Sequence, residues 1–165
     1  MSTLILSASK HGSTTDIAAR IAETLSTQGV QVTVGALDDA NLACADCVVI
    51  GLPVYTQKLL ASGVDFLAEH QDELDSREVF IFVSGGSPHL DAKLRAQLQQ
   101  YTAHQVQYFR GAVDSSKLNL AEKAVLKVVK SPLDADWRDW DAIDQWVVSI
   151  AASEPGEAGT GNIDS

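Results

Sequence analysis

The residues best suited to chemistry lie near the start of the chain, in Ser9-Lys10-His11-Gly12-Ser13-Thr14-Thr15. Ser9, Ser13, Thr14 and Thr15 crowd their hydroxyls around one glycine. The apolar run Leu4-Ile5-Leu6 comes before this stretch and a helical apolar pattern from Ile17 comes after it. The stretch therefore reads as a turn between a buried strand and the start of a helix. A helix begins with N–H groups that lack an intrahelical acceptor, and with the positive end of its dipole. Both face the turn and suit a phosphate. One hydroxyl would be enough to cap the helix. Four exceed that need, and glycine lets the backbone come close to an anion. Neither G-x-G-x-x-G nor G-x-x-x-x-G-K-S/T occurs here, so a mononucleotide fits better than a dinucleotide or a hydrolysed triphosphate.

Two further stretches could complete a pocket. Leu52-Pro53-Val54-Tyr55-Thr56-Gln57 follows an apolar run and reads as a loop. Tyr55 could stack on a flat ring, worth about 1 kcal/mol beyond area burial, or it is a surface tyrosine. Pro53 stiffens the approach, and backbone groups of Val54 to Gln57 could face the ring edge. Ser84-Gly85-Gly86-Ser87-Pro88 reads as a flexible loop whose N–H groups could meet electron-rich oxygens. The loop near Asp114 to Lys117 is a fourth candidate for the same edge. Cys44 and Cys47 form a C-x-x-C, but Cys47 opens a strand rather than a helix, and no further zinc ligands stand at suitable spacing. Both read as buried small residues. His89 and His104 have no partner at motif spacing, so no catalytic side chain and no metal ligand is assigned.

The elements that must position these loops follow from periodicity. Ile17, Ala18, Ile21, Ala22 and Leu25 share one helical face, and Gly29 is the stop. Val30, Val32 and Val34 alternate with polar residues, as in a strand near a sheet edge. Asp38-Asp39 could cap a short helix to about Ala43. Cys47–Gly51 and Val79–Val83 are apolar throughout and read as central strands. Helices are expected over Lys58–Asp72, Ala92–Tyr101 and Leu118–Lys130, the last ended by Pro132, with a fifth strand over Val106–Val113. Asp139 should cap a final helix carrying Trp140, Ile143, Trp146, Val147 and Ile150 on one face, and the tryptophans should pack that helix onto the sheet. Strands alternating with helices predict an α/β fold with a parallel sheet between two helical layers. Ligands in such folds bind beyond the carboxyl ends of the strands, where the three loops would meet.

Composition sets the outer bounds. The chain has 165 residues, 12 Lys and Arg against 22 Asp and Glu, and a formal charge of −10. One domain over residues 1–152 is expected, followed by a breaker-rich, disordered tail over 153–165. The negative field argues against nucleic acid. No apolar run approaches the ~20 residues of a membrane span, no charged segment precedes the first strand, and cysteine usage is sparse, so a cytoplasmic protein is expected. Lys117, Lys123, Lys127 and Lys130 form either a solvated helix face or a peripheral contact for an anionic membrane or acidic partner.

With these loops placed, Ser9-Lys10-His11-Gly12-Ser13-Thr14 resembles the T/S-x-T/S-G-x-T phosphate loop of the flavodoxins, matching at Ser9, Gly12 and Thr14, with His11 in place of a hydroxyl. Four segments together are similar to the menaquinone-dependent protoporphyrinogen oxidase branch of that fold. They are the opening Ser-Lys-His-Gly-Ser-Thr turn, Gly51-Leu52-Pro53-Val54-Tyr55, Arg110-Gly111-Ala112-Val113-Asp114, and Arg138-Asp139-Trp140-Asp141-Ala142-Ile143. The connection Lys130 to Trp137 is shorter and less basic than in that branch. The resemblance implies a flavodoxin-like three-layer sandwich with a five-stranded parallel sheet in the order 2-1-3-4-5. It implies flavin mononucleotide (FMN) as cofactor, with Ser9, Lys10, His11, Gly12, Ser13 and Thr14 at the phosphate. Pro53, Val54, Tyr55, Thr56 and Gln57, with Ser84, Gly85 and Gly86, would lie around the ring. Its partners would be a redox protein, a quinone or a small-molecule substrate. Three readings compete: an FMN-dependent oxidoreductase, a pure electron carrier, and a flavin-free binding or signalling module. Receiver domains share the strand order but need clustered acids after the first and third strands, where this chain has Ser7-Ala8-Ser9 and Gly51-Leu52-Pro53.

Overall fold

A computed structural model describes residues 2–8, 12–37, 41–55, 58–113, 135–136 and 138–152. In chain order the elements are β1 (Ser2–Ser7), α1 (Ser13–Thr27), β2 (Gln31–Ala36), a 3-10 turn (Leu42–Cys44), β3 (Cys47–Tyr55), β4 (Lys58–Leu59), α2 (Ala61–Glu69), α3 (Gln71–Asp75), β5 (Glu78–Gly85), α4 (Ala92–Gln99), β6 (Gln107–Arg110), β7 (Ala112–Val113), β8 (Ala135–Asp136) and α5 (Trp140–Ala152). The main sheet runs β2-β1-β3-β5-β6, with every one of these pairings parallel. This is the predicted order of five parallel strands. The short β4, antiparallel on β3, only shifts the numbering.

The sheet divides the core in two. On one face Leu4, Leu6, Val48, Ile50, Leu52, Val79, Ile81 and Val83 pack with Phe66, Leu67, Leu74 and Leu98 from α2, α3 and α4. On the other, Ile5, Val49, Phe80, Phe82 and Phe109 pack with Ile17, Ile21 and Leu25 of α1 and Ile143, Trp146, Val147 and Ile150 of α5. The period of two along each strand assigns neighbours to opposite faces. Because both faces are covered, the central strands read as unbroken apolar runs. The edge strand β2 differs, with Val34 49% exposed. Helix α1 ends as its glycine predicts. Gly29 has φ +83°, its N–H donates to Ser26, and the Val30 N–H reaches back to Leu25, closing a Schellman motif.

Several expectations need correction. Leu52–Tyr55 is strand rather than loop, because the β-prone Val54 and Tyr55 continue β3 and pair back on Leu59 and Lys58. Lys58 and Leu59 are therefore lost from the predicted helix, and the remainder breaks at His70 into α2 and α3. Ser84 and Gly85 belong to β5. The fifth strand divides at Gly111, whose N–H donates to the Gly85 carbonyl at 2.8 Å. The 3-10 turn is capped by Asn41, which accepts from the Ala43 N–H at 3.2 Å. The expected caps Asp38-Asp39, the expected helix over 118–130 and the tail over 153–165 lie outside the described residues. Cys47 is buried in the core as expected; the Cys44 side chain lies outside the described set. Among the described residues no helix is long and apolar enough to cross a membrane.

Helix α5 is held to α1 by charge as well as by packing. Arg20 donates to both oxygens of Asp144 at 2.9 and 2.7 Å, and the Thr24 hydroxyl adds a bond at 3.1 Å. Asp139 caps α5 by accepting from the Ala142 N–H at 3.1 Å. Just before α5, Arg138 forks onto Asp136 of β8 at 2.9 and 2.7 Å and reaches Asp16 of α1 at 3.3 Å. Its guanidinium lies 4.8 Å from the Trp140 ring centre. Arg138 thus ties the β7–β8 ribbon and the start of α5 to the first turn of α1.

Two predictions follow from this packing. A Cβ built on Gly51 would fall under 3.0 Å from three atoms of the Phe82 ring, so Gly51→Ala should cost about 1–3 kcal/mol of overpacking. A lowered denaturant midpoint at unchanged slope would show it; an unchanged midpoint would refute it. The second concerns acid. Hydrogen bonds from Arg138 pull the Asp136 carboxyl down to about 2. Its ionised form therefore favours the folded state fully above about pH 4, and that contribution is lost as pH falls through 2. The melting temperatures of wild type and Asp136→Asn should differ slightly at pH 7, as suits an exposed pair, and converge near pH 2. A gap that persists at pH 2 would contradict this.

Candidate functional site

Strands β1, β3 and β5 end at one edge of the sheet in steps. Ser7 is the last residue of β1 and stands opposite Gly51. Strand β3 continues past it against β5, with Leu52 opposite Val83 and Pro53 opposite Ser84. The Ala8 N–H donates to the Gly51 carbonyl at 3.1 Å, which fixes where the chain leaves the sheet for the first turn. Beyond Gly51, β3 has lost its β1 neighbour. Pro53, which has no N–H to contribute to a ladder, sits where one side of the strand is already an edge.

The turn returns to the sheet as α1. Gly12 is the N-cap residue, with φ 89° and ψ −16°. That left-handed geometry costs a residue with a Cβ roughly 1–2 kcal/mol. The Asp16 N–H donates to the Gly12 carbonyl at 2.9 Å, closing the first helical turn. Ser13 opens the helix and Thr14 follows. The Thr14 side chain is buried, with its hydroxyl oxygen 2.6 Å from the Ser84 hydroxyl oxygen at the end of β5. The first and third sequence stretches are therefore in direct contact across 70 positions. Ser9, Lys10, His11, Thr56 and Gln57 lie outside the described residues. Tyr55 ends β3 opposite Lys58.

The third stretch is held rather than loose. The Gly86 carbonyl accepts from Arg110 Nε and Nη2 at 3.2 and 2.8 Å. The Ser87 carbonyl accepts from the Tyr108 hydroxyl at 2.6 Å. Burial pushes the Tyr108 phenol above its ordinary value of 10, with the Arg110 charge opposing, so it remains a donor at neutral pH. In a trans peptide C=O and N–H point in opposite directions. Anchoring the Gly86 carbonyl on Arg110 therefore turns the Ser87 N–H away from β6. Pinned carbonyls leave N–H groups as the available face of this segment.

Sequence reasoning did not single out Arg110, Tyr108 or Arg138 for these roles. Arg110 and Arg138 stood within motifs but carried no assignment, and Tyr108 had no signal. Each acts on a residue 21 to 122 positions away, beyond any local spacing rule. His104 has a plain structural role. Its Nε2 lies 2.5 Å from Glu78 and its ring stacks on Phe80 at 4.1 Å. It lines a cavity of about 290 Å³ with Leu74, Arg77 and Tyr101, at the opposite sheet edge from Thr14 and Ser84.

The comparisons with known proteins bear on this edge. The family model described as "Flavodoxin domain" matches residues 4–138. No curated protein matches the sequence. Among solved structures, flavodoxin 2 from Bacillus cereus superposes with a TM-score of 0.62 at 16% identity, covering 92% of this chain and 99% of that one. A flavodoxin from the domain Archaea gives 0.60 at 15% identity, covering 92% and 97%. The rubredoxin oxygen:oxidoreductase of Desulfovibrio gigas gives 0.54 at 15% identity, covering 92% of this chain but 37% of that longer one. At these identities the structures speak to the fold alone. The family match covers most of the chain and implies FMN as cofactor. An N-terminal glycine turn, converging strand ends and buried hydroxyls are chemically suited to a phosphate and a polar ring edge. On the strength of the family match and the sheet order together, the chain belongs to the flavodoxin domain family.

Proposed function

We propose that this edge holds FMN with its phosphate in the first turn, within a domain spanning residues 1–152, and that the protein is an FMN-dependent oxidoreductase of the cytoplasm. The observation that carries the reading is the meeting of Gly12, Thr14 and Ser84 at the ends of α1 and β5. Ser9, Lys10, His11, Gly12, Ser13 and Thr14 would take the phosphate. The end of β3, with Pro53, Val54 and Tyr55, together with Thr56 and Gln57 would flank one side of the ring. Gly85 and Gly86 would bring backbone N–H groups to its polar edge.

Bound FMN would accept and return one or two electrons; the protein supplies binding, orientation and electrostatics. Gly12 allows the turn to close on the anion, and the N-terminus of α1 supplies a positive potential. Arg138 sits on Asp16, the acid of the first turn, and offsets its repulsion of a phosphate. Arg110 and Tyr108 hold the third segment so that its N–H groups can meet the ring oxygens, which grow more basic on reduction. A quinone or small molecule as electron acceptor fits the four segments similar to the protoporphyrinogen oxidase branch. A second reading, a carrier passing electrons to a protein partner, is equally compatible with the flavodoxin domain match.

Purified protein should be yellow, and apoprotein should rebind added FMN; colourless protein that fails to bind FMN would overturn the assignment. Gly12→Asp should weaken FMN binding at least about tenfold, through left-handed strain and like-charge repulsion. An unchanged Kd in a flavin-fluorescence titration would remove the turn from the site. Protoporphyrinogen oxidation with a quinone acceptor should proceed with FMN-loaded protein. If FMN is bound and no turnover occurs, the carrier reading replaces it.

A further inference from the structure

Thr14 and Ser84 are 1% and 3% exposed, and their hydroxyl oxygens stand 2.6 Å apart. Each hydroxyl has one proton and can accept two bonds. Their mutual hydrogen bond uses one of the two protons. The other meets no acceptor among the described residues, at a depth where polar groups almost always have partners. Sequence reasoning placed Ser84 at the ring edge of the cofactor. The geometry points elsewhere. Its hydroxyl turns to α1, and its strand neighbours are Pro53 and Phe109.

We propose that Ser84 is a positioning residue for the phosphate end of the cofactor, acting through Thr14. The Ser84 hydroxyl donates to Thr14 Oγ1. That frees the Thr14 proton for a phosphate oxygen at the N-terminus of α1. The pair can take either donor order, and an anion at the turn selects the one in which Thr14 points its proton outward. Ser84 then matters for FMN and not for the same ring system without its phosphate. This inference rests on the proposed reading of the first turn.

The test compares the affinity of apoprotein for FMN and for riboflavin, which lacks the phosphate. Wild type should bind FMN more tightly than riboflavin. Ser84→Ala should lower FMN affinity about threefold to tenfold, the effect of one hydrogen bond, and leave riboflavin affinity unchanged. Thr14→Ser, which keeps the hydroxyl, should preserve the preference. Ser84→Cys keeps the volume with a poor donor and reads the same ratio should Ser84→Ala not fold. Equal losses for both flavins would put Ser84 at the ring and overturn the proposal. Unchanged affinities for both would reduce the pair to a structural tie and overturn it too. If wild type shows no preference for FMN over riboflavin, the reading of the turn itself fails, and this inference fails with it.

Discussion

The register of β1, β3 and β5 is the constraint on which the rest of the structure depends. Ser7 faces Gly51 and Gly51 faces Phe82, so β1 ends while β3 and β5 run on beyond it. A one-residue slip would exchange the side chains that each strand presents to the two faces, and the two differently packed apolar layers oppose it. The Phe82 ring lies against Gly51, where any side chain would collide with it. That contact locks the register at the last level before the candidate site. From it follow the exit of the first turn at Ala8, the place where Pro53 is tolerated, and the approach of Ser84 to Thr14. The site is assembled by strand ends of unequal length.

Electrostatics sets a local need against a global field. The chain carries a formal charge of −10, which disfavours an anionic cofactor at long range. Screening confines most of that field to roughly 8 Å at physiological salt. Within that distance the N-terminus of α1 supplies a positive potential. Arg138 is shared between Asp136 and Asp16 and lies over Trp140. It therefore joins the ribbon, the last helix and the first turn at one point. Arg20 makes a similar junction one helical turn further along, on Asp144. Pairing these arginines with fixed acids holds the helix that presents the turn.

Much of the fold was legible in the sequence. The apolar runs 47–51 and 79–83 read as strands buried on both faces, and the helical faces of α1 and α5 were visible in their spacing. Glycine-rich and proline-containing stretches were harder to read. Proline and glycine mark turns in isolation, so Val54-Tyr55 and Ser84-Gly85 read locally as loops. Pairing on β4 in one case and on β6 in the other overrode that local preference. The same override cut Lys58 and Leu59 from a helix whose apolar spacing is continuous in the sequence.

The sequence by itself determined the layers and the hydroxyl-rich turn with Gly12 at its centre, while the strand order came from the family resemblance. The layers and the turn depend on periodicity, on backbone sterics and on residue types within a few positions, so they are local quantities. Tertiary structure alone decided that Ser84 turns to Thr14, that Arg110 and Tyr108 hold the Gly86–Ser87 carbonyls, and that Arg138 reaches Asp16. Each of those contacts joins residues distant in the chain. Each exists only because the sheet register and the crossing helices bring their side chains within hydrogen-bond distance.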